Sequence, residues 1–299
     1  MMKHSASVTL ILLALFLAAQ FIGLAVVYNY IDTDRSAAEG KTVFKELPIG
    51  ERPPLQETTS YISILLSILV GTILFLFLMK HNWIWIIRLW FLVAVVFSLT
   101  MVFGSVLSPI TSFFLALLLG LWKLLRPNLW IQNGTEVLMY GGLAVIFVPV
   151  FNLFSGIILL ILIALYDAYA VWKSKHMITL AKSQAKAKLF AGLFIPYQSS
   201  LTGKHLLPAS KNSRVKKAAL KVRTAILGGG DIGFPLIFAG IVLKEMGLWQ
   251  SLLIPPFAAL GLAVLLWNSQ EKKFYPAMPF ISAGCFIGLG IVWLLGIIV

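Results

Sequence analysis

The chain has 299 residues, of which 60% are hydrophobic and only 12% are charged, and its mean hydropathy is +0.93. A soluble domain contains about 45–50% apolar and about 25% charged residues, so this composition excludes an ordinary soluble enzyme. The formal net charge of +13 is large for a chain with so few charges, and its meaning depends on where the basic residues lie.

Apolar stretches along the chain predict nine membrane-spanning helices. Each has about 17 to 25 residues, the length that crosses the hydrocarbon core of a bilayer. The stretches are 6–30, 58–79, 83–104, 107–125, 135–151, 153–172, 224–243, 247–267 and 277–299. We therefore expect an all-α, multi-pass protein of the cell membrane that forms one integral membrane domain. Residues 1–172 would hold helices one to six, and residues 224–299 would hold helices seven to nine.

The basic residues predict a cytoplasmic N-terminus and a C-terminus outside. This orientation places most Lys and Arg residues in cytoplasmic segments, as the positive-inside rule requires. The cytoplasmic loop 173–223 carries +12 of the net charge and has no acidic residue. The positive charge is therefore interpreted as a topology and membrane-surface signal, and not as a nucleic-acid site. Within the loop, residues 177–197 are interpreted as an interfacial amphipathic segment and residues 198–217 as a mobile one.

Two carboxylates fall inside the apolar stretches, Asp167 in the sixth and Asp231 in the seventh. The other nine acidic residues lie in the first outer segment or, like Glu136, at the edge of a stretch. Burying an ionised carboxylate in a membrane is costly, so both aspartates are functional candidates. Counted along helices from the basic loop, they lie about 9 and about 12 Å below the cytoplasmic boundary. On consecutive antiparallel helices they can face each other.

A close pair of carboxyl groups is suited to peptide hydrolysis. In a low dielectric both cannot ionise cheaply, so the pair holds one proton. The ionised group can take a proton from water while the protonated group donates to the scissile carbonyl. Which aspartate plays which role stays open, because the pair titrates as a unit. Two carboxyl groups and water suffice, so we expect no metal and no organic cofactor.

The residues around the two aspartates also favour a functional site. Asp231 lies in a stretch, 227–235, with four glycines and a proline, which weaken a helix and permit close approach of the backbone. Gly228 and Gly230 belong to this motif. Tyr166 precedes Asp167, and its hydroxyl could donate a hydrogen bond within the site, although packing explains the residue equally well.

A third motif, Tyr275-Pro276-Ala277-Met278-Pro279, begins the last stretch near the same membrane face. Its two prolines remove backbone donors and oppose a regular helix. Backbone groups there are consequently expected to be available to an extended partner.

Taken together and in this order, the three motifs resemble those of the presenilin and signal peptide peptidase family of GxGD intramembrane aspartyl proteases. The resemblance covers essentially the whole chain and is greatest to archaeal presenilin homologues. It implies that Asp167 and Asp231 are the catalytic pair, and that Pro276, Ala277 and Met278 help to bind the substrate. Met278 departs from the leucine of the family. The implied partners are the lipid bilayer and substrates that are single-span membrane proteins or resemble signal peptides, while homo-oligomerisation stays open.

Three other classes of membrane protein share some of these features. In a prepilin-type peptidase the GxGD motif commonly continues into Lys, whereas Ile232 and Gly233 follow here. A rhomboid-like protease needs an intramembrane histidine, and no histidine falls inside a stretch. The remaining alternative is a proton-coupled transporter, since paired acids and helices broken by glycine or proline also form ion sites. A transporter predicts matching breaks in two halves, but the breaks here are concentrated in stretches seven and nine.

Overall fold

The computed structural model describes residues 6–52, 54–126, 128–174, 191–198, 222–269 and 275–298. This part of the chain forms ten α-helices and one two-stranded sheet. The helices are α1 (Ala6–Asn29), α2 (Thr33–Glu39), α3 (Ser60–Lys80), α4 (Ile84–Gly104), α5 (Pro109–Leu125), α6 (Leu129–Phe147), α7 (Leu153–Tyr169), α8 (Gly229–Met246), α9 (Leu248–Asn268) and α10 (Met278–Ile298). The strands are β1 (Gly192–Gln198) and β2 (Val222–Gly228), and the short helical turns Val148–Val150 and Ala170–Ser174 follow α6 and α7.

Seven of the described helices are long and apolar enough to cross a membrane: α1, α3, α4, α6, α7, α9 and α10. The other two predicted spans correspond to α5 and α8. The first is apolar but has 17 residues, and the second carries Asp231, Lys244 and Glu245. The chain is thus a mostly helical, multi-pass membrane protein. The total of nine spans and the orientation of the termini stay predictions.

Helix α8 lies at the centre of the bundle and contacts α1, α6, α7, α9 and α10. Small residues permit these close approaches, because a Cβ atom at Gly23 of α1 or Gly240 of α8 would overlap Leu236 or Val148, respectively. In contrast, α3 buries only Ser60, Ile64 and Leu78. Its exposed apolar surface is suited to contact with lipid.

Polar side chains cap the N-termini of several helices. Asn152 and Ser155 form a reciprocal capping box at the start of α7. The Ser108 side chain accepts from the Thr111 N–H at the start of α5, where Pro109 occupies the first turn. These polar residues satisfy backbone donors that the membrane would leave without partners.

The all-α prediction is wrong at one place, where β1 and β2 pair antiparallel. Gly192 pairs with Gly228, and Phe194 pairs with Ile226. The strand β1 occupies part of the segment that we expected to be interfacial, and β2 occupies the expected start of the seventh helix. Side chains alternate along both strands, so that Leu193 and Leu227 are buried while Ile226 is exposed. Residues 177–190 and 199–217, to which the rest of the interfacial and mobile predictions apply, lie outside the described residues.

Candidate active site

Asp167 lies near the end of α7 and binds the beginning of α10. Its carboxylate Oδ2 accepts a hydrogen bond from the backbone N–H of Met278 at 3.1 Å, and the N–H of Ala277 donates to the same carboxylate. The first N–H groups of a helix have no acceptor within the helix, and a carboxylate there also complements the helix dipole. Asp167, which is 6% exposed, therefore joins α7 to the third sequence motif.

Asp231 lies in the first turn of α8, three residues after the N-cap residue Gly228. The backbone N–H of Gly228 donates to the Asp231 carboxyl group, which is one half of a capping box. A Cβ atom at Gly228 would lie 3.2 Å from Oδ2 of Asp231. The seventh helix was predicted to begin at residue 224, which is wrong because β2 continues to Gly228. Asp231 consequently lies at the junction of strand and helix.

The structure brings the two aspartates together. They lie on the contacting helices α7 and α8, within electrostatic range of each other. Pro235, four residues after Asp231, has no N–H, so the Asp231 carbonyl lacks its usual helical donor. Among the described residues, no group of three His, Cys, Asp or Glu side chains could hold a metal ion.

The other predicted site residues differ in their relation to this pair. Pro276 and Met278 are buried next to Asp167, with Ala277 partly buried between them. The backbone donors of this motif were expected to be available to a partner, but those of Ala277 and Met278 bind Asp167 instead.

Gly230 is exposed, and a Cβ atom there would lie 3.5 Å from Phe234. Tyr166 is 41% exposed, and no hydrogen bond of its hydroxyl is seen in the part of the chain that the structure describes.

The sheet has one edge covered by α6 and one edge that no described strand covers. Asn133 of α6 donates to the Phe194 carbonyl at 2.8 Å and accepts from the Phe194 N–H at 2.9 Å. The backbone groups of Phe194 therefore point away from β2. Its cross-strand partner, Ile226, must then direct its own N–H and C=O to the opposite edge. Pro196 agrees with this register, because its missing N–H falls on the side of β1 that does not bond β2.

Glu136 is a functional candidate that the sequence interpretation missed. It was placed at the edge of an apolar stretch, which is wrong, since α6 begins at Leu129 and Glu136 is 0% exposed. Its carboxylate accepts from Lys123 Nζ at 2.6 Å, from Gln132 Nε2 at 3.0 Å and from the Tyr140 hydroxyl. The available signal was the spacing of Glu136 and Tyr140, four residues apart on one helix face.

Comparisons with known proteins identify a family and two similar structures. The chain matches the family described as signal-peptide peptidase, presenilin aspartyl protease over residues 42–298. Two similar solved structures are each described as a presenilin family intramembrane aspartate protease. The structure in the C222 space group is 17% identical with a TM-score of 0.59 and covers 94% of each chain. The structure in the P2 space group is 18% identical with a TM-score of 0.60 and covers 95% of this chain and 96% of the other.

No curated protein sequence matches the chain. The family match nevertheless extends over most of the sequence, and the fold is shared almost end to end. This chain belongs to the signal-peptide peptidase and presenilin family of intramembrane aspartyl proteases.

Proposed function

We propose that this protease hydrolyses peptide bonds within the transmembrane segments of substrate proteins, with Asp167 and Asp231 as its catalytic pair. Two observations support the assignment: the carboxyl groups interact across α7 and α8, and they are the carboxyl groups of the motifs that the family resemblance rests on. Membership of an aspartyl protease family also favours hydrolysis over proton-coupled transport.

The reaction needs one water molecule and one proton shared by the two carboxyl groups. The ionised aspartate takes a proton from the water, whose oxygen forms a bond to the scissile carbonyl carbon. The protonated aspartate donates to the carbonyl oxygen, which gives a neutral tetrahedral diol. The C–N bond then breaks as the aspartate that took the proton from water gives it to the nitrogen, while the other aspartate takes a proton from a diol hydroxyl, leaving a carboxyl and an amino terminus. The pair acts as a unit, so neither residue is assigned a single role.

The observation that carries the proposal is the position of Asp231 at the end of the uncovered edge of β2. The N–H of Gly228 points to the same side of the strand as the N–H of Ile226, two residues earlier. The former donates to the Asp231 carboxyl group, while the latter lies along the edge that no strand of the described residues covers. An extended peptide that pairs with Ile226 would therefore pass directly beside Asp231.

Strand addition also solves a problem that every protease of helical substrates faces. A carbonyl group within a helix is already hydrogen-bonded and is shielded from water by the surrounding side chains. Pairing with β2 would replace the helical hydrogen bonds of the substrate by strand hydrogen bonds, which offsets the cost of unwinding. Pro276, Ala277 and Met278 would then contact the substrate from the side of Asp167.

We infer that the substrates are single-span membrane proteins or resemble signal peptides. The enzyme would reside in the cell membrane with its N-terminus in the cytoplasm, and the aspartate pair would lie near the cytoplasmic side. The distribution of basic residues supports this orientation.

The assignment is tested by cleavage of a tagged single-span substrate by the purified full chain in liposomes. We expect cleavage by the wild-type protein and losses of at least about a thousandfold for Asp167→Asn and for Asp231→Asn, since each removes a member of the reacting pair. Asp34→Asn, which alters an exposed aspartate of α2, is the matched control and should cleave normally. Cleavage that survives either substitution in the pair would overturn the assignment.

A further inference from the structure

A second set of charged side chains is buried in the bundle outside the aspartate pair. Lys123, in the last turn of α5, and Glu136 of α6 form an ion pair of 2.6 Å, with their side chains 2% and 0% exposed. Removing two charges from water is costly, so such a pair is retained only where its other hydrogen-bonding capacity is also satisfied. The neighbours of Glu136 indicate which contacts the buried ion pair maintains.

Donors from three elements converge on the Glu136 carboxylate. Besides Lys123 of α5, the Gln132 amide and the Tyr140 hydroxyl of α6 donate to it. The backbone N–H of Gly192, the first residue of β1, donates to it as well. The carboxylate therefore ties the β-sheet to α6 at the end of the sheet where Gly192 pairs with Gly228.

Tyr140 extends this network to the turn that carries Asp231. A Cβ atom added at Gly229 would overlap the Tyr140 hydroxyl oxygen and would lie 3.2 Å from ring atom Cε1. A Cβ atom added at Gly233 would lie 3.6 Å from Cδ1 of the same ring. Residues four apart occupy one helix face, so the ring lies along the first turn of α8, where Asp231 is located between these glycines.

We propose that Lys123, Glu136 and Tyr140 form a positioning relay for Asp231. Lys123 and Gln132 fix the Glu136 carboxylate, which holds the Tyr140 hydroxyl against Gly229. Through the N–H of Gly192 the same carboxylate also holds β1. The relay therefore fixes the position of the sheet relative to the turn that carries Asp231. Tyr140 acts through the backbone of α8 and is a positioning residue. The proposal rests on the proposed function, because it presupposes that Asp231 is catalytic.

The first test is the kinetics of Tyr140→Phe, which removes one oxygen atom and keeps the ring. We expect kcat per folded molecule to fall about ten- to a hundredfold, because small displacements of a catalytic group are costly, and KM to stay within about twofold. Tyr28→Phe removes the hydroxyl of a 44% exposed tyrosine at the outer end of α1 and should leave both constants unchanged. The folded fraction is measured by gel filtration and thermal unfolding.

A second variant pair tests the contact itself. Gly229→Ala alone places a methyl group on the Tyr140 hydroxyl and should lower kcat severely. Adding Tyr140→Phe removes the overlapping oxygen, so the double variant should recover part of the activity that Gly229→Ala loses. A double variant that is no more active than Gly229→Ala would contradict the proposed contact.

The outcomes separate the relay from the proposed function. If neither the wild-type protein nor Tyr28→Phe cleaves the substrate, the proposed function fails. If both cleave it and Tyr140→Phe keeps the wild-type kcat, the relay is overturned while the proposed function stands. Should Tyr140→Phe not fold, the double variant Lys123→Met/Glu136→Leu decides, because leucine has no acceptor for the Tyr140 hydroxyl. It removes both buried charges and leaves the ring in place, and an unchanged kcat in this variant would equally overturn the relay.

Discussion

Met278 binds Asp167 through its backbone N–H, and its side chain packs in the core. The N–H of Met278 donates to the carboxylate, an interaction that any residue except proline can make. The side chain is 3% exposed and belongs to the main hydrophobic core. The departure from the leucine of the family therefore changes the shape of the packed surface and leaves the hydrogen bond intact.

Met278→Leu should accordingly retain activity. Methionine and leucine have similar volumes, and exchanges of this kind in a core usually cost less than about 1.5 kcal/mol. We expect kcat/KM in the liposome cleavage assay to stay within about tenfold of the wild-type value. Met278→Pro is the contrasting variant, because it removes the N–H that binds Asp167 and should lower kcat/KM much further. Complete loss of activity in Met278→Leu would show that the substrate-binding role proposed for this motif is wrong in detail.

At the scale of single residues, sequence reasoning singles out isolated charges and misses paired ones. Asp167 and Asp231 were recognisable because each lies alone in an apolar stretch. Glu136 was harder to recognise, because its compensating cation, Lys123, is thirteen positions away on another helix. A pairing of that kind depends on how α5 packs against α6, which the order of the residues does not specify.

The two strands show a similar limit at the scale of elements. Residues 222–228 are continuous with the apolar stretch that follows, so a single helix from residue 224 was the natural prediction. Their partner, β1, lies on the far side of the basic segment, and strand preference depends on such neighbours more than on composition. The helices themselves agree with the apolar stretches to within a few residues in most cases, because length and hydropathy alone determine them.

Ile226 offers a direct test of strand addition at the uncovered edge. Ile226→Pro removes an N–H that points away from β1, so the two-stranded ladder should survive, as it does at Pro196. We expect kcat/KM to fall about tenfold, the value of one net hydrogen bond to the substrate. Ile226→Ala keeps the N–H and removes the exposed side chain, and it should change kcat/KM far less. Equal losses in the two variants would indicate that side-chain contact, and not backbone pairing, binds the substrate at this edge.

At the scale of the whole molecule, the tryptophans and the basic residues mark one face of the bundle. All nine tryptophans are exposed, and most lie near the ends of the long helices, as expected for amphipathic rings at a membrane interface. Trp249 and Trp293 lie at the predicted outer face. The predicted cytoplasmic face carries the other seven, namely Trp83, Trp85, Trp90, Trp122, Trp130, Trp172 and Trp267. The basic loop joins the helices at this same face, which is also the one nearest to Asp167.

The orientation that follows from this asymmetry can be measured with cysteine labelling. The native cysteine, Cys285, is fully buried, so Cys285→Ala provides a background with little disturbance. In that background, Lys41→Cys should react in intact cells with a maleimide that does not cross membranes, because residue 41 lies in the predicted outer segment.

Lys80→Cys, at the end of α3, should react only after the membrane is permeabilised. Both native lysines are exposed, so a difference in labelling reports the side of the membrane and not burial. The two sites lie at opposite ends of one span, so their labelling must be opposite if α3 crosses the bilayer once. Labelling of residue 80 alone in intact cells would reverse the orientation, and with it the assignment of the aspartate pair to the cytoplasmic side.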